Sequence, residues 1–209
     1  MIFRNRTEAG NLLATKLILK GDQPLVIGLA RGGVVVARSV ARALKLKLDV
    51  MVVKKIGSPG DPELAIGALA PDGVSFIDWR MSHRVGADEN YINSQINAIT
   101  DQIKEKSLRY RRGMSPVAVA GKAVILVDDG IATGATLEAA IKWLKKKKAK
   151  HITVAVPVAP SEVVGKIRPE VNSLVTLATP EDFRAVGQFY EEFPQVEDDE
   201  VVTLLKKRD

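Results

Sequence analysis

A chain of 209 residues is the size of one ordinary domain, and its 46% apolar content with only 5% aromatics calls for a core built mainly of aliphatic side chains. The absence of cysteine excludes a disulfide framework and a thiolate metal site. The two histidines, His83 and His151, are too few for a histidine cluster, so any metal would be a hard cation held by oxygen. The net charge of +6 suits an anionic ligand without choosing between nucleic acid and a polyphosphate.

The opening segment, MIFRNRTEAGN, lacks the apolar stretch of a signal peptide, and no apolar run in the chain approaches the ~20 residues that span a bilayer. A cytoplasmic protein with no membrane partner is expected. The first helix is predicted over Thr7 to Lys20, with Thr7 as its cap and Ala9, Leu12, Leu13 and Leu17 on one side. Leu25 to Ala30 reads as a buried strand that enters a tight turn at Arg31-Gly32-Gly33. A helix over Val34 to Leu44 and a second strand over Leu48 to Val53, ending in Lys54-Lys55, complete a parallel strand–helix–strand unit.

Ile56 to Glu63, with two Gly and two Pro, reads as a loop. Leu64 to Ala70 and Val74 to Ile77, around Pro71-Asp72-Gly73, read as an antiparallel hairpin. Asp88 to Arg112 reads as a long helix riding on it, ended by Gly113. Further strands are expected over Ala123 to Val127, His151 to Val156 and Leu174 to Ala178. A helix runs from near Gly134 to about Lys148, and a short one is capped by Ser161. The expected fold is therefore α/β: a central, mostly parallel, five-stranded sheet flanked by helices, with an antiparallel hairpin. Lys145 to Lys148 and Glu197 to Glu200 read as solvated charge runs, and His151 as a structural residue.

The chemistry concentrates in Val124 to Thr136, VILVDDGIATGAT. An apolar strand runs into two adjacent carboxylates, Asp128 and Asp129, and a turn of small residues then opens a helix. Ligands of open parallel sheets bind beyond the carboxyl ends of the strands. The first turn of the helix, with Thr133 and Thr136 beside it, favours a phosphate. The two carboxylates suit a diol such as the hydroxyls of a ribose. The bland alternative is a pair of aspartates that merely cap a turn.

This segment resembles the phosphoribosyl-pyrophosphate signature of type I phosphoribosyltransferases: a strand, two acids and a T-G-x-T loop. The resemblance implies a single phosphoribosyltransferase domain over 1–209, with a flap at about 56–113 and a C-terminal hood at about 179–209. It implies transfer of a 5-phosphoribosyl group from phosphoribosyl pyrophosphate to a nitrogen acceptor, in the cytoplasm, by a homodimer using Mg²⁺. By position, Asp128 and Asp129 would be catalytic and hold the ribose hydroxyls. Gly130, Ile131, Ala132, Thr133, Gly134, Ala135 and Thr136 would wrap the 5-phosphate. Arg31, Gly32, Lys54 and Lys55 would meet the pyrophosphate; for Arg31 and the lysines the alternative is an ordinary surface cation. Ser58, Glu63, Arg111 and Arg112 are the flap residues that could reach the site.

Pro180 to Phe193, PEDFRAVGQFYEEF, is similar to the base-binding tail of hypoxanthine-guanine phosphoribosyltransferases. Phe183 matches the residue that stacks on a purine, and core packing is its alternative role. Val186-Gly187 matches a following pair with one extra residue between. Glu191 falls near a metal-binding aspartate, so Mg²⁺, held mainly by ligand oxygens, could also meet Asp128, Asp129 and Glu191. Ala132 stands where those enzymes carry an aspartate for the purine N7, which leaves the acceptor open among nucleobases. Two rivals stay open: a protein of this fold that senses phosphoribosyl pyrophosphate without turnover, and an unrelated nucleotide-binding α/β protein. The basic run lacks the interleaved aromatics of a nucleic-acid surface.

Overall fold

The computed structural model of the chain describes residues 1–20, 23–112 and 115–206. Five strands form one parallel sheet: β1 (Leu25–Leu29), β2 (Leu48–Met51), β6 (Ala123–Val127), β7 (His151–Val158) and β8 (Ser173–Ala178), in the order β2-β1-β6-β7-β8. A second, antiparallel sheet holds β3 (Lys54–Gly57), β4 (Ala65–Leu69) and β5 (Ser75–Ile77), with the tight turn Pro71–Gly73 between the last two. The helices are α1 (Arg6–Lys16), α2 (Gly32–Leu44), α3 (Trp79–Arg84), α4 (Glu89–Arg111), α5 (Ala135–Lys146), α6 (Ser161–Ile167) and α7 (Asp198–Lys206). The expected fold class is the observed one.

The strands are apolar on both faces because both faces are covered. Leu25, Ile27, Leu126, Val154 and Val156 pack against Leu137, Ile141 and Leu144 of α5. Val26, Ile125 and Val127 turn the other way, onto Leu13 of α1 and Val36, Ala37 and Val40 of α2. Each fully buried aliphatic side chain of this kind stabilises the fold by roughly 1.5–3 kcal/mol. A third cluster joins Ile92, Ile99 and Ile103 of α4 to Ile56 and Ile66 of the small sheet and to Val201 and Val202 of α7.

Several local expectations need correction. The first helix begins at Arg6, and its cap is Asn5, whose side chain accepts the Glu8 N–H at 3.1 Å; Thr7 lies inside the helix and Leu12 is exposed. Asparagine is as good a cap as threonine, and its carbonyl geometry wins here. Lys54 and Lys55 open β3 instead of closing β2, so the predicted loop is shorter than Ile56 to Glu63. Residues 79–84, which carried no prediction, form α3, capped by Asp78. The long helix starts after its cap Asp88 and reaches a left-handed cap at Arg112; Gly113, the expected terminator, lies outside the described residues. Pro160, not Ser161, precedes α6. The acidic run 197–200 opens α7, and only 15% of the Asp198 side chain is exposed.

Candidate active site

Strands β1 and β6 are neighbours, with Gly28 in register with Val127. Their carboxyl ends therefore deliver the Arg31 turn and the Asp128-Asp129 pair to one crevice. The approach is very close. A Cβ added to Gly32 would lie 1.9 Å from Oδ2 of Asp129, and one added to Gly33 would lie 2.7 Å from Oδ1 of Asp128. No side chain other than hydrogen fits between the turn and the acidic pair. The Ala30–Arg31 peptide is cis.

Both helices that follow these strands begin at the crevice. Helix α2 starts directly after Arg31, and α5 starts after Gly134, which adopts φ +86°. That left-handed angle is where glycine avoids the steric cost other residues meet. Neither helix has a side-chain cap; in α2 the Val34 N–H donates to the Arg31 carbonyl at 3.1 Å, and the other first-turn N–H groups are of the kind that favours an anion. The loop between the acids and α5 is anchored at its root, where the Ile131 N–H donates to the Val158 carbonyl at 2.9 Å. Ile131 and Ala135 are buried, Thr136 is half-buried, and Ala132 and Thr133 face outward.

The two carboxylates differ in their surroundings. Asp129 N–H donates to Asp128 Oδ1 at 2.9 Å, and Arg6 Nε donates to Asp129 Oδ2 at 2.7 Å. Burial pushes the Asp128 carboxyl well above its ordinary range, and the charge of Asp129 adds to the shift. Burial raises Asp129 as well, but the Arg6 guanidinium opposes it.

Arg6 carried no prediction. A buried arginine needs partners, and this one has three. Besides Asp129 it donates from Nη1 to the Pro194 carbonyl at 2.8 Å, and its guanidinium lies 3.7 Å from the centre of the Phe193 ring. The sequence held one signal: an arginine at the start of a helix, seven residues before the buried Leu13. Tyr190 was also missed. Its hydroxyl donates to the Asp129 carbonyl at 2.6 Å, and its ring stacks on Phe193 at 4.9 Å. Burial raises the phenol above its ordinary value, so it stays a donor. Through Arg6 and Tyr190 the C-terminal segment is tied to the acidic pair.

The remaining candidates are distributed unevenly. Arg31 lies at the crevice but faces α7, 3.6 Å from Glu197 Oε2 and 3.7 Å from Asp198 Oδ1. Lys54 and Lys55 stand beyond the end of β2; Lys54 donates to Gln102 of α4, Lys55 is exposed, and neither contacts the acidic pair. Phe183 packs on Phe189 with ring centres 5.4 Å apart, at the edge of a cluster with Phe3 and Tyr190. Val186 fills the space above Gly130, 2.5 Å from where a Cβ there would sit. Glu191 is exposed, and its backbone N–H, not its carboxylate, is held, by the Phe3 carbonyl.

Of the flap candidates, Ser58 is buried and its hydroxyl donates to the Asp61 carbonyl at 2.9 Å, which braces its own loop, while Glu63 is exposed. Arg111 is committed elsewhere: its Nε donates to Asp49 Oδ1 at 2.8 Å and Nη2 to the Val50 carbonyl, on β2. Arg112 is the left-handed cap of α4. Among the described residues no cluster of three or more His, Cys, Asp or Glu side chains could hold a metal, and no helix is long and apolar enough to cross a membrane.

Residues 3–193 match the family profile described as the phosphoribosyl transferase domain. Two proteins of Mycobacterium tuberculosis, from strains CDC 1551 / Oshkosh and H37Rv and each named "putative phosphoribosyl transferase", are 39% identical over 207 residues. That match covers 99% of this chain and 47% of theirs, so the chain spans about half the length of these relatives. The crystal structure of TT1426 from Thermus thermophilus is similar throughout, with a TM-score of 0.81, 41% identity and 98% of each chain covered.

Proposed function

The chain belongs to the phosphoribosyl transferase domain family, and from that premise we propose that it transfers a 5-phosphoribosyl group from phosphoribosyl pyrophosphate to a nitrogen of a nucleobase, releasing pyrophosphate. One observation carries this reading. Two helix N-termini without side-chain caps, those of α2 and α5, flank a pair of half-buried carboxylates where the adjacent parallel strands β1 and β6 end. A ligand that matches this order has an anion at each end and a diol between them.

In this reading the first turn of α5, with Thr133 and Thr136, receives the 5-phosphate. Asp128 and Asp129 accept hydrogen bonds from the ribose hydroxyls. The Gly32-Gly33 turn and Arg31 receive the pyrophosphate, with Lys54 and Lys55 near the same strand end. Arg31 must swing from Glu197 and Asp198 toward the leaving group. These groups are fixed before the bond breaks, so charge on the departing pyrophosphate meets preorganised donors. Asp128 and Asp129 also offer oxygen ligands of the kind Mg²⁺ takes, one or two carboxylates alongside substrate phosphates. Bound there, the ion would neutralise the pyrophosphate as a Lewis acid. Glu191 would have to leave its exposed position to take part.

The acceptor would lie under the C-terminal segment, between Phe183 and Val186. Phe183 suits a nucleobase of either kind, because an aromatic face suits any base, and the resemblance of the tail to hypoxanthine-guanine enzymes favours a purine. Ala132 gives no carboxylate for a ring nitrogen. Titration calorimetry with phosphoribosyl pyrophosphate and Mg²⁺ tests the donor half: binding is expected in the wild type and lost in the Asp128→Asn/Asp129→Asn double variant. Equal binding by that variant would remove the assignment.

A further inference from the structure

The acidic pair and the loop that leads to α5 are joined at the Asp129–Gly130 peptide. Glycine, the residue with the widest backbone freedom, stands directly after the second acid. On the loop side of this joint the chain is pinned at once, by the Ile131 N–H on the Val158 carbonyl at 2.9 Å. On the strand side the pairing of β6 with β7 ends at Val127, and among the described residues no backbone N–H donates to the Asp129 carbonyl. The group that does donate to it is the Tyr190 hydroxyl, at 2.6 Å.

A group can position another only if it is held itself. Tyr190 is 6% exposed, and its ring meets Phe193 at 4.9 Å and Phe3 at 5.4 Å. Its segment of backbone is tied to residues 3 and 4. The Phe3 N–H donates to the Phe189 carbonyl at 2.8 Å, and the Phe3 and Arg4 carbonyls accept from the Glu191 and Glu192 N–H groups at 2.8 and 2.9 Å. Val186 of the same segment lies over Gly130, 2.5 Å from where a Cβ there would sit. A buried tyrosine hydroxyl needs an acceptor, and that need alone would be met by any carbonyl. Here the acceptor belongs to the peptide whose orientation sets the acids relative to the first turn of α5.

We propose that Tyr190 is a positioning residue for ribose recognition: its hydroxyl fixes the Asp129–Gly130 peptide and so fixes the spacing between the acidic pair and the first turn of α5. This rests on the assignment of the ribose hydroxyls and the 5-phosphate to those two places. A ligand that spans both, such as ribose 5-phosphate, needs the joint set in advance, because ordering it on binding costs conformational entropy. Arg6 holds the Asp129 side chain through Oδ2, whereas Tyr190 holds its main chain, so the two act separately.

The test uses Tyr190→Phe, which removes the hydroxyl and keeps the ring in its stack. Ile152→Val is the comparison: it lies in the core at the start of β7, at the opposite end of the strand from Val158, and lowers stability by a comparable amount. Ribose 5-phosphate is the probe, its affinity read by competition with phosphoribosyl pyrophosphate in titration calorimetry. Both variants should show a lower urea midpoint. Tyr190→Phe should bind ribose 5-phosphate about tenfold more weakly than wild type, and Ile152→Val should bind it as wild type does. A lower midpoint in Tyr190→Phe with unchanged affinity would make the hydroxyl structural only and overturn the proposal, as would equal weakening in Ile152→Val. A wild type that does not bind ribose 5-phosphate would overturn it differently, by removing the assignment on which it rests.

Discussion

At the scale of single residues, Asp128 is the most informative group in the crevice. It is half-buried beside a second carboxylate, and desolvation and the neighbouring charge both favour its protonated form. A carboxyl whose folded pKa lies above its unfolded value contributes stability that is complete below the unfolded pKa and is lost as pH rises through the folded one. In metal-free, ligand-free protein, Asp128→Asn should therefore gain stability over wild type as pH rises from 4 to 8. Urea unfolding in the presence of a chelator measures this, and parallel pH curves for the two proteins would contradict it. Arg6 makes the opposite case. Removing it leaves Asp129 buried without its counter-charge, at a cost of about 3 kcal/mol. Arg6→Met should show that loss in urea unfolding and should raise KM for phosphoribosyl pyrophosphate, while Arg6→Lys should recover part of both.

At the scale of elements, α7 is held to the body by Val201 and Val202 in the core and, at its start, by polar contacts centred on Asp198. Asp198 accepts from Tyr110 at 2.6 Å and meets Lys106 and Arg109 of α4 at 3.3 and 3.2 Å. Burial pushes its carboxyl upward, but the hydrogen bonds from Tyr110 and Lys106 and the charges of Lys106 and Arg109 hold it below the ordinary range. Asp198→Ala would strand the buried Tyr110 hydroxyl and should destabilise the protein by about 1–3 kcal/mol, read as a lower urea midpoint. It should also release Arg31, so the variant's affinity for pyrophosphate should change while that of an Asp199→Ala control does not.

Legibility in the sequence also differed by element. The parallel strands were readable because burial on both faces leaves unbroken aliphatic runs, as in Leu25–Leu29 and Ala123–Val127. The acidic motif was readable because its residues are contiguous. The partners Arg6, Tyr190 and Asp198 were not, because each acts across more than sixty residues of chain through a contact that no local pattern encodes. Lys54 and Lys55 were placed on the right strand end but the wrong strand, since a run such as VVKKIG does not mark where one sheet stops and the next begins.

At the scale of the whole molecule, the fold sets two ends apart. One end of the parallel sheet gathers the acidic pair, the Arg31 turn and two helix N-termini. The C-terminal segment closes the first end by holding Asp129 through Arg6 and Tyr190, and under the proposed function acceptor binding and ribose binding would share these contacts. The central claim is phosphoribosyl transfer at the crevice, and its most direct measurement is pyrophosphate release from phosphoribosyl pyrophosphate and Mg²⁺ across a panel of free purine and pyrimidine bases. The account predicts release that depends on at least one base and falls about 100-fold or more in Asp128→Asn/Asp129→Asn. Tight binding of phosphoribosyl pyrophosphate with no release for any base would contradict it.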